Sequence, residues 1–229
     1  MASTHGKRDL VGAAGLRPLE RLYFISMDEA PIDHLRQVDE ACRAGIRWIQ
    51  LRMKYASDAE VRDTALAAKK ICDAYGCVLI LNDRVEIAAE ADVHGVHVGK
   101  GDMTVSEARR LLGEDRIIGG TANTSEDILE HYRQGADYIG LGPYRYTTTK
   151  KNLSPVLGLE GYRGIMRRLQ QERVSIPVLA IGGIGIPDML PLLEAGVHGI
   201  AFSGMLVHAG DRRALVQSLE EEIKTIDIC

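Results

Sequence analysis

A chain of 229 residues with 45% hydrophobic and 26% charged content can bury a large core as one soluble globular domain, and it is too apolar to be a disordered segment. Its net charge of −4 offers no broad attraction to nucleic acid or to an anionic membrane, so any anion site has to be built locally. Four cysteines (Cys42, Cys72, Cys77 and Cys229) fall in no zinc-binding spacing and read as small buried hydrophobes, in keeping with a reducing compartment.

Residues 1–18 hold no apolar run of signal-peptide length and read as a loose leader to one domain over 19–229. No later stretch is long enough to cross a bilayer, so the expected setting is cytoplasmic, with neither membrane nor nucleic acid as partner. From residue 21 onward, short aliphatic runs alternate with amphipathic ones. The runs are RLYFIS (21–26), WIQLRM (48–53), VLILND (78–83), GVHVGK (95–100), RIIGGT (116–121), YIGLGP (138–143), PVLAIGG (177–183) and GIAFSG (199–204). Each is nearly continuous in apolar residues, as parallel strands covered on both faces are. The segments between them have helical spacing, and several open on Asp or Ser and close on Gly. The third crossover, RVEIAAEAD (84–92), is short, and a helical segment DRRALVQSLEEEIK (211–224) ends the chain.

Strict alternation of strand and helix requires right-handed crossovers and a parallel sheet. An open doubly wound sheet would satisfy the same pattern, but no GxGxxG opens the first strand–helix turn. The expected fold is therefore a closed (β/α)8 TIM barrel in a single domain. In that fold the active site lies at the C-terminal strand ends. Reading only those positions gives Gln50, Arg52 and Lys54 after the second strand, and Asn82 and Asp83 after the third. Lys100 and Asp102 follow the fourth, Thr121 ends the fifth, and Thr147, Thr149 and Lys150 follow the sixth. Gly182 and Gly183 end the seventh strand, Ser203 and Gly204 the eighth.

Two-residue alternation puts Gln50, Arg52 and Lys54 on one face and Leu51 and Met53 on the other. A salt-bridge layer inside the barrel would suit one charge and one partner; two adjacent cations plus Lys150 ask for a more anionic one. Asp83 or Asp102 alone reads most simply as a helix cap. Together, beside three cations and Asn82, they suit Mg²⁺, which takes one or two carboxylates and completes its shell with water and phosphate oxygens. The AIGGIG glycines suit a single phosphate ahead of a helix, or equally a tight turn. His97, inside the strand pattern, reads as structural. No Cys–His or Ser–His–Asp set is evident at the rim, so a metal-held diphosphate without a nucleophile points to pyrophosphate as a leaving group.

QLRMK, NDR, HVGKGD, GPYRYTTTK, AIGGI and GVHGIAF fall in an order and spacing that resembles the thiamine-phosphate synthase family, from about Arg21 to the C-terminus. The resemblance implies condensation of a hydroxymethylpyrimidine diphosphate with a hydroxyethylthiazole phosphate, with Mg²⁺ as cofactor and a homodimer as the usual assembly. It implies that Gln50, Leu51, Arg52, Met53, Lys54, Asn82, Thr121 and Lys150 bind the pyrimidine diphosphate, with Arg52, Lys54, Lys150 and Thr121 catalytic. Asp83 and Asp102 would hold the metal. Thr147, Thr148, Thr149, Gly183, Ser203 and Gly204 would bind the thiazole phosphate. Met53 stands where the family has an acid, Lys100 where it has Gln, Asn123 where it has His, and Gly204 where it has Ser. Two alternatives use the same scaffold: a thiazole tautomerase, which would need a histidine after the fifth strand, and a non-catalytic thiazole-phosphate-binding regulator.

Overall fold

Strand β1 (Leu22–Ile25) leads into α1 (His34–Ala44), and the same step recurs through β2 (Trp48–Leu51), α2 (Asp58–Tyr75), β3 (Val78–Asn82) and α3 (Val85–Glu90). It continues through β4 (Gly95–Val98), α4 (Val105–Leu112), β5 (Ile117–Ala122), α5 (Ser125–Arg133), β6 (Tyr138–Leu141) and α6 (Gly158–Gln171). The last two units are β7 (Val178–Ile181) with α7 (Ile186–Glu194), and β8 (Gly199–Phe202) with a one-turn helix α8 (Gly204–Val207) ahead of α9 (Arg212–Lys224). The structure, a computed structural model, describes residues 19–146 and 155–224. The expected leader 1–18, residues Thr147 to Lys150 and Cys229 lie outside them.

Every strand pairs in parallel with the next, and β8 returns to β1 with Leu22 opposite Ile200, closing the barrel. Two-residue alternation divides the core into two layers. Tyr23, Ile25, Trp48, Ile80, Tyr138 and Leu179 point into the barrel, while Phe24, Ile49, Leu51, Leu79 and Leu81 face the helices. The one-turn α8 was not expected from the sequence, because four residues carry too little periodicity to be distinguished from a loop.

Local chemistry sets the helix starts. Ser57 with Glu60, Thr104 with Glu107, and Thr124 with Asp127 each form a reciprocal capping box, in which two backbone N–H groups and two side chains satisfy one another. These caps exclude the plain reading of both acids. Thr104, not Asp102, caps α4, and Arg84 holds the N-cap position of α3 without a side-chain cap, leaving Asp83 with no capping role. Cys42, Cys72 and Cys77 are free and buried. Among the described residues no helix is long and apolar enough to cross a membrane.

Candidate active site

The C-terminal strand ends surround a cavity of about 660 Å³. On one side Gln50, Arg52 and Lys54 line it from β2, where alternation sends every second side chain inward. Asn82 and Asp83 reach it from β3, Asp102 from the loop after β4, and Thr121 from β5. Across the mouth, Gly183, Ser203 and Gly204 line it from β7 and β8.

Leu51 and Met53 require correction. Leu51 is wholly enclosed in the layer between barrel and helices, and Met53 packs against that same layer. Both are odd-numbered positions on a strand whose even-numbered positions face the cavity, so neither side chain lines it. Thr147, Thr148, Thr149 and Lys150 lie outside the described residues.

Asp83 and Asp102 come together. Their carboxylates lie within hydrogen-bonding reach of each other, and Asp102 Oδ2 also accepts the Gly99 N–H at 2.8 Å. Burial, then the hydrogen bond and charge of Asp102, push Asp83 up to about 6, against the opposing pull of Lys54 and Asn82. Asp83 sits on left-handed backbone (φ 66°) and donates its N–H to His97 O at 2.9 Å. A Cβ on Gly99 would fall 2.6 Å from Asp102 Oδ2 and 3.9 Å from Asp83 Oδ1, so a residue without one leaves the space both acids face. Two carboxylates that repel each other across such a gap, facing a cavity that also holds Lys54, are a donor set that fits Mg²⁺. Among the described residues no cluster of three or more metal-binding side chains occurs; two carboxylates leave the remaining positions to water and substrate.

The floor of the cavity is a hydrogen-bonded chain that joins Gln50 and Thr121 through residues of β1, β4 and β6. Gln50 Nε2 donates to Tyr23 OH at 3.3 Å, and Tyr23 OH lies 2.8 Å from Tyr138 OH. His97 joins Tyr138 OH (3.1 Å from Nδ1) to Thr121 Oγ1 (2.9 Å from Nε2). Burial holds both phenols well above the usual tyrosine range, so they stay protonated. His97 lines the cavity and holds the Thr121 hydroxyl in place.

The opposite wall is made of backbone. Gly182 and Gly183 both have left-handed φ (99° and 67°), and a Cβ on either would come within 3 Å of Pro143 or Arg145. Arg145 clamps this turn. Its N–H donates to Gly182 O at 2.9 Å, and its guanidinium meets Asp188 in a two-pronged pair, Nη2 to Oδ1 at 2.6 Å and Nη1 to Oδ2. Asp188 also accepts the Gly185 N–H at 2.8 Å, and these contacts hold its carboxyl below the ordinary range despite the opposing effect of burial. Neither Arg145 nor Asp188 was singled out from sequence, since 43 residues separate them.

Lys100 and Asn123 have local explanations. Lys100 Nζ pairs with Asp127 Oδ2 at 2.7 Å, and Asp127 also accepts the Asn123 N–H at 2.9 Å. Asn123 Nδ2 donates to Gly142 O, tying the β5 exit to the β6 exit. The first strand contributes as well: Ser26 and Asp28, just beyond β1, bond the backbone of Arg52 and Lys54.

Fold and cavity together define a (β/α)8 barrel with a cationic and acidic wall facing a glycine-backbone wall. Residues 22–206 match the family model described as thiamine monophosphate synthase. The chain is 52% identical over 190 residues to a thiamine-phosphate synthase of Bacteroides fragilis, covering 83% of this chain and 93% of that protein. It is 42% identical over 203 residues to one of Flavobacterium johnsoniae, covering 89% and 96%. A solved structure named as a thiamine phosphate pyrophosphorylase from Pyrococcus furiosus superposes with a TM-score of 0.78 at 32% identity, covering 90% of this chain and 96% of that one. This chain belongs to the thiamine monophosphate synthase family.

Proposed function

We propose that the cavity joins a hydroxymethylpyrimidine diphosphate to a hydroxyethylthiazole phosphate, releasing pyrophosphate and forming thiamine phosphate. The observation that carries this reading is the placement of Arg52, Lys54, Asn82, Asp83 and Asp102 on one wall of a cavity whose other wall is the Gly182–Gly183 turn. One wall suits a diphosphate and the other a single phosphate, and the reaction needs both anions side by side.

In the reaction the bond between the pyrimidine CH₂ and the diphosphate oxygen breaks, and its electron pair leaves with pyrophosphate. The thiazole nitrogen supplies the pair for the new C–N bond and needs no base, only alignment. Arg52 and Lys54 stabilise the charge that grows on the departing group, in a site where preorganised cations lose little to reorganisation. Asp83 and Asp102 would hold Mg²⁺, which when bound neutralises charge on the leaving pyrophosphate. Lys54 lies close enough to Asp83 to oppose the rise in its pKa, so cation and acid share one anionic load. Gln50, braced by the Tyr23 hydroxyl, presents its amide to the pyrimidine, and Thr121, braced by His97, offers a fixed hydroxyl beside it. Gly183, Ser203 and Gly204 receive the thiazole phosphate; the parts assigned to Thr147, Thr148, Thr149 and Lys150 rest on the family resemblance alone.

The deciding experiment mixes both substrates with Mg²⁺ and assays thiamine phosphate and pyrophosphate in equal amounts. Isomerisation of a thiazole carboxylate phosphate without pyrophosphate release would replace this reading with the tautomerase. Binding of thiazole phosphate without Mg²⁺ dependence or turnover would replace it with the regulator.

A further inference from the structure

Ser26, Asp28 and His34 have the composition of a hydrolytic triad, and the β1–α1 connection brings them into one chain of contacts. Ser26 Oγ lies 2.9 Å from His34 Nδ1, and His34 Nε2 lies 3.4 Å from Asp28 Oδ1. Ser26 is nevertheless fully enclosed, and its hydroxyl oxygen already accepts the Arg52 N–H at 2.9 Å. Because His34 Nε2 faces the Asp28 carboxylate, the neutral ring carries its proton there, and the Ser26 hydroxyl donates to Nδ1. Burial lowers the pKa of His34 and favours this neutral form. With Ser26 wholly enclosed, its oxygen meets no substrate.

The chain ends instead on the cations. Both carboxylate oxygens of Asp28 accept the Lys54 N–H, at 3.2 and 3.3 Å, and Arg52 Nη1 lies 4.0 Å from Oδ2. The loop carrying Asp28 is itself fixed. Gln37, almost fully buried, accepts the Met27 N–H at 2.9 Å and donates to Met27 O and Ile32 O at 3.0 Å each.

We propose that Asp28 is a positioning residue for the diphosphate site, acting through the β2 exit so that Arg52 and Lys54 meet the substrate with their orientation already set. A carboxylate beside Arg52 offsets the cost of holding a guanidinium with only 17% of its side chain exposed. At 4.0 Å the pair is loose, and the five-donor guanidinium keeps an edge for phosphate oxygens. The inference rests on the diphosphate reading of Arg52 and Lys54.

The test uses the full-length protein and two readouts: steady-state kinetics with both substrates, and calorimetric binding of inorganic pyrophosphate with Mg²⁺. Asp28→Ala raises KM for the pyrimidine diphosphate and Kd for pyrophosphate by about tenfold, and leaves KM for the thiazole phosphate within about twofold. Asp28→Asn keeps an oxygen for the Lys54 N–H but not the charge beside Arg52, and restores part of the loss. Ser26→Ala, a small change in a packed site, moves Kd the same way by about threefold, and it decides the matter if Asp28→Ala does not fold. Unchanged pyrophosphate binding in folded Asp28→Ala or in Ser26→Ala overturns the proposal. So does an equal rise in both KM values, which marks general loosening, or an Asn variant no better than Ala. If the wild-type protein binds pyrophosphate but forms no thiamine phosphate, the binding data still judge Asp28 while the proposed function falls. If turnover is normal and the variants bind pyrophosphate as wild type does, only the inference falls. A wild-type protein that binds no pyrophosphate overturns both.

Discussion

Under the proposed function, the two walls of the cavity recognise anions in different ways. The β2–β4 wall uses formal charge: Arg52, Lys54, Asp83 and Asp102 are long or acidic side chains held by hydrogen bonds behind them. The β7–β8 wall uses main-chain shape: Gly182 and Gly183 in left-handed conformations, locked by Arg145 and Asp188. The first wall can therefore be weakened by changing charge at little cost to the fold. The second can be weakened only by disturbing backbone that the fold depends on.

Asp102→Ala strikes the charged wall hardest. It removes half of the proposed metal-binding pair, so kcat falls by about 10²–10³-fold with the melting temperature unchanged or raised. A chelator produces a comparable loss in the wild type that Mg²⁺ reverses. Near-normal pyrophosphate release from the variant would remove the metal from this wall.

Gly183→Ala tests the backbone wall, and there activity and stability fall together. An L-residue at φ 67° costs about 1–2 kcal/mol, and its Cβ would stand 2.9 Å from Arg145 Cβ. KM for the thiazole phosphate rises by about tenfold while KM for the pyrimidine diphosphate stays close to wild type. If both KM values rise alike, the walls do not divide the substrates as described.

A smaller effect separates the walls by pH. Asp83 has a folded-state pKa raised to about 6, above its unfolded value, so its contribution to stability is fully present at low pH and is lost as pH rises through 6. Metal-free protein is therefore more resistant to thermal unfolding at pH 5 than at pH 7 as far as this pair is concerned. Asp102→Asn weakens that part of the profile and leaves the share due to burial; an unaltered profile would mean the acids do not interact. Asp188, held below the ordinary range, works in the opposite direction: its contribution is present at neutral pH and lost on acidification. The smallest effect is that of Cys72→Ala, remote from both walls and fully buried: turnover is unchanged and stability falls by about 1–2 kcal/mol, measured by chemical denaturation.

The charged wall was legible in the sequence because polar residues at the ends of apolar runs stand out. Gln50, Arg52 and Lys54 needed only two-residue alternation to share a face, and the same rule applied strictly would have kept Leu51 and Met53 out of the site. The bracing was not legible. Arg145 meets Asp188 across 43 residues, and His97 meets Thr121 across 24. Such contacts depend on how neighbouring barrel strands register, which no local pattern records. Asp83 was open to reading as a helix cap because cap signals are local, whereas its proximity to Asp102 depends on how β3 and β4 pair.

The backbone at Asp83 makes a second demand on that position, independent of charge. Left-handed φ is tolerated cheaply by glycine, asparagine and aspartate and resisted by nearly everything else. Of those three, aspartate alone supplies an anion. Alanine scanning there would confuse a distorted strand exit with a missing ligand, and asparagine, which keeps the shape and discards the charge, is the cleaner replacement.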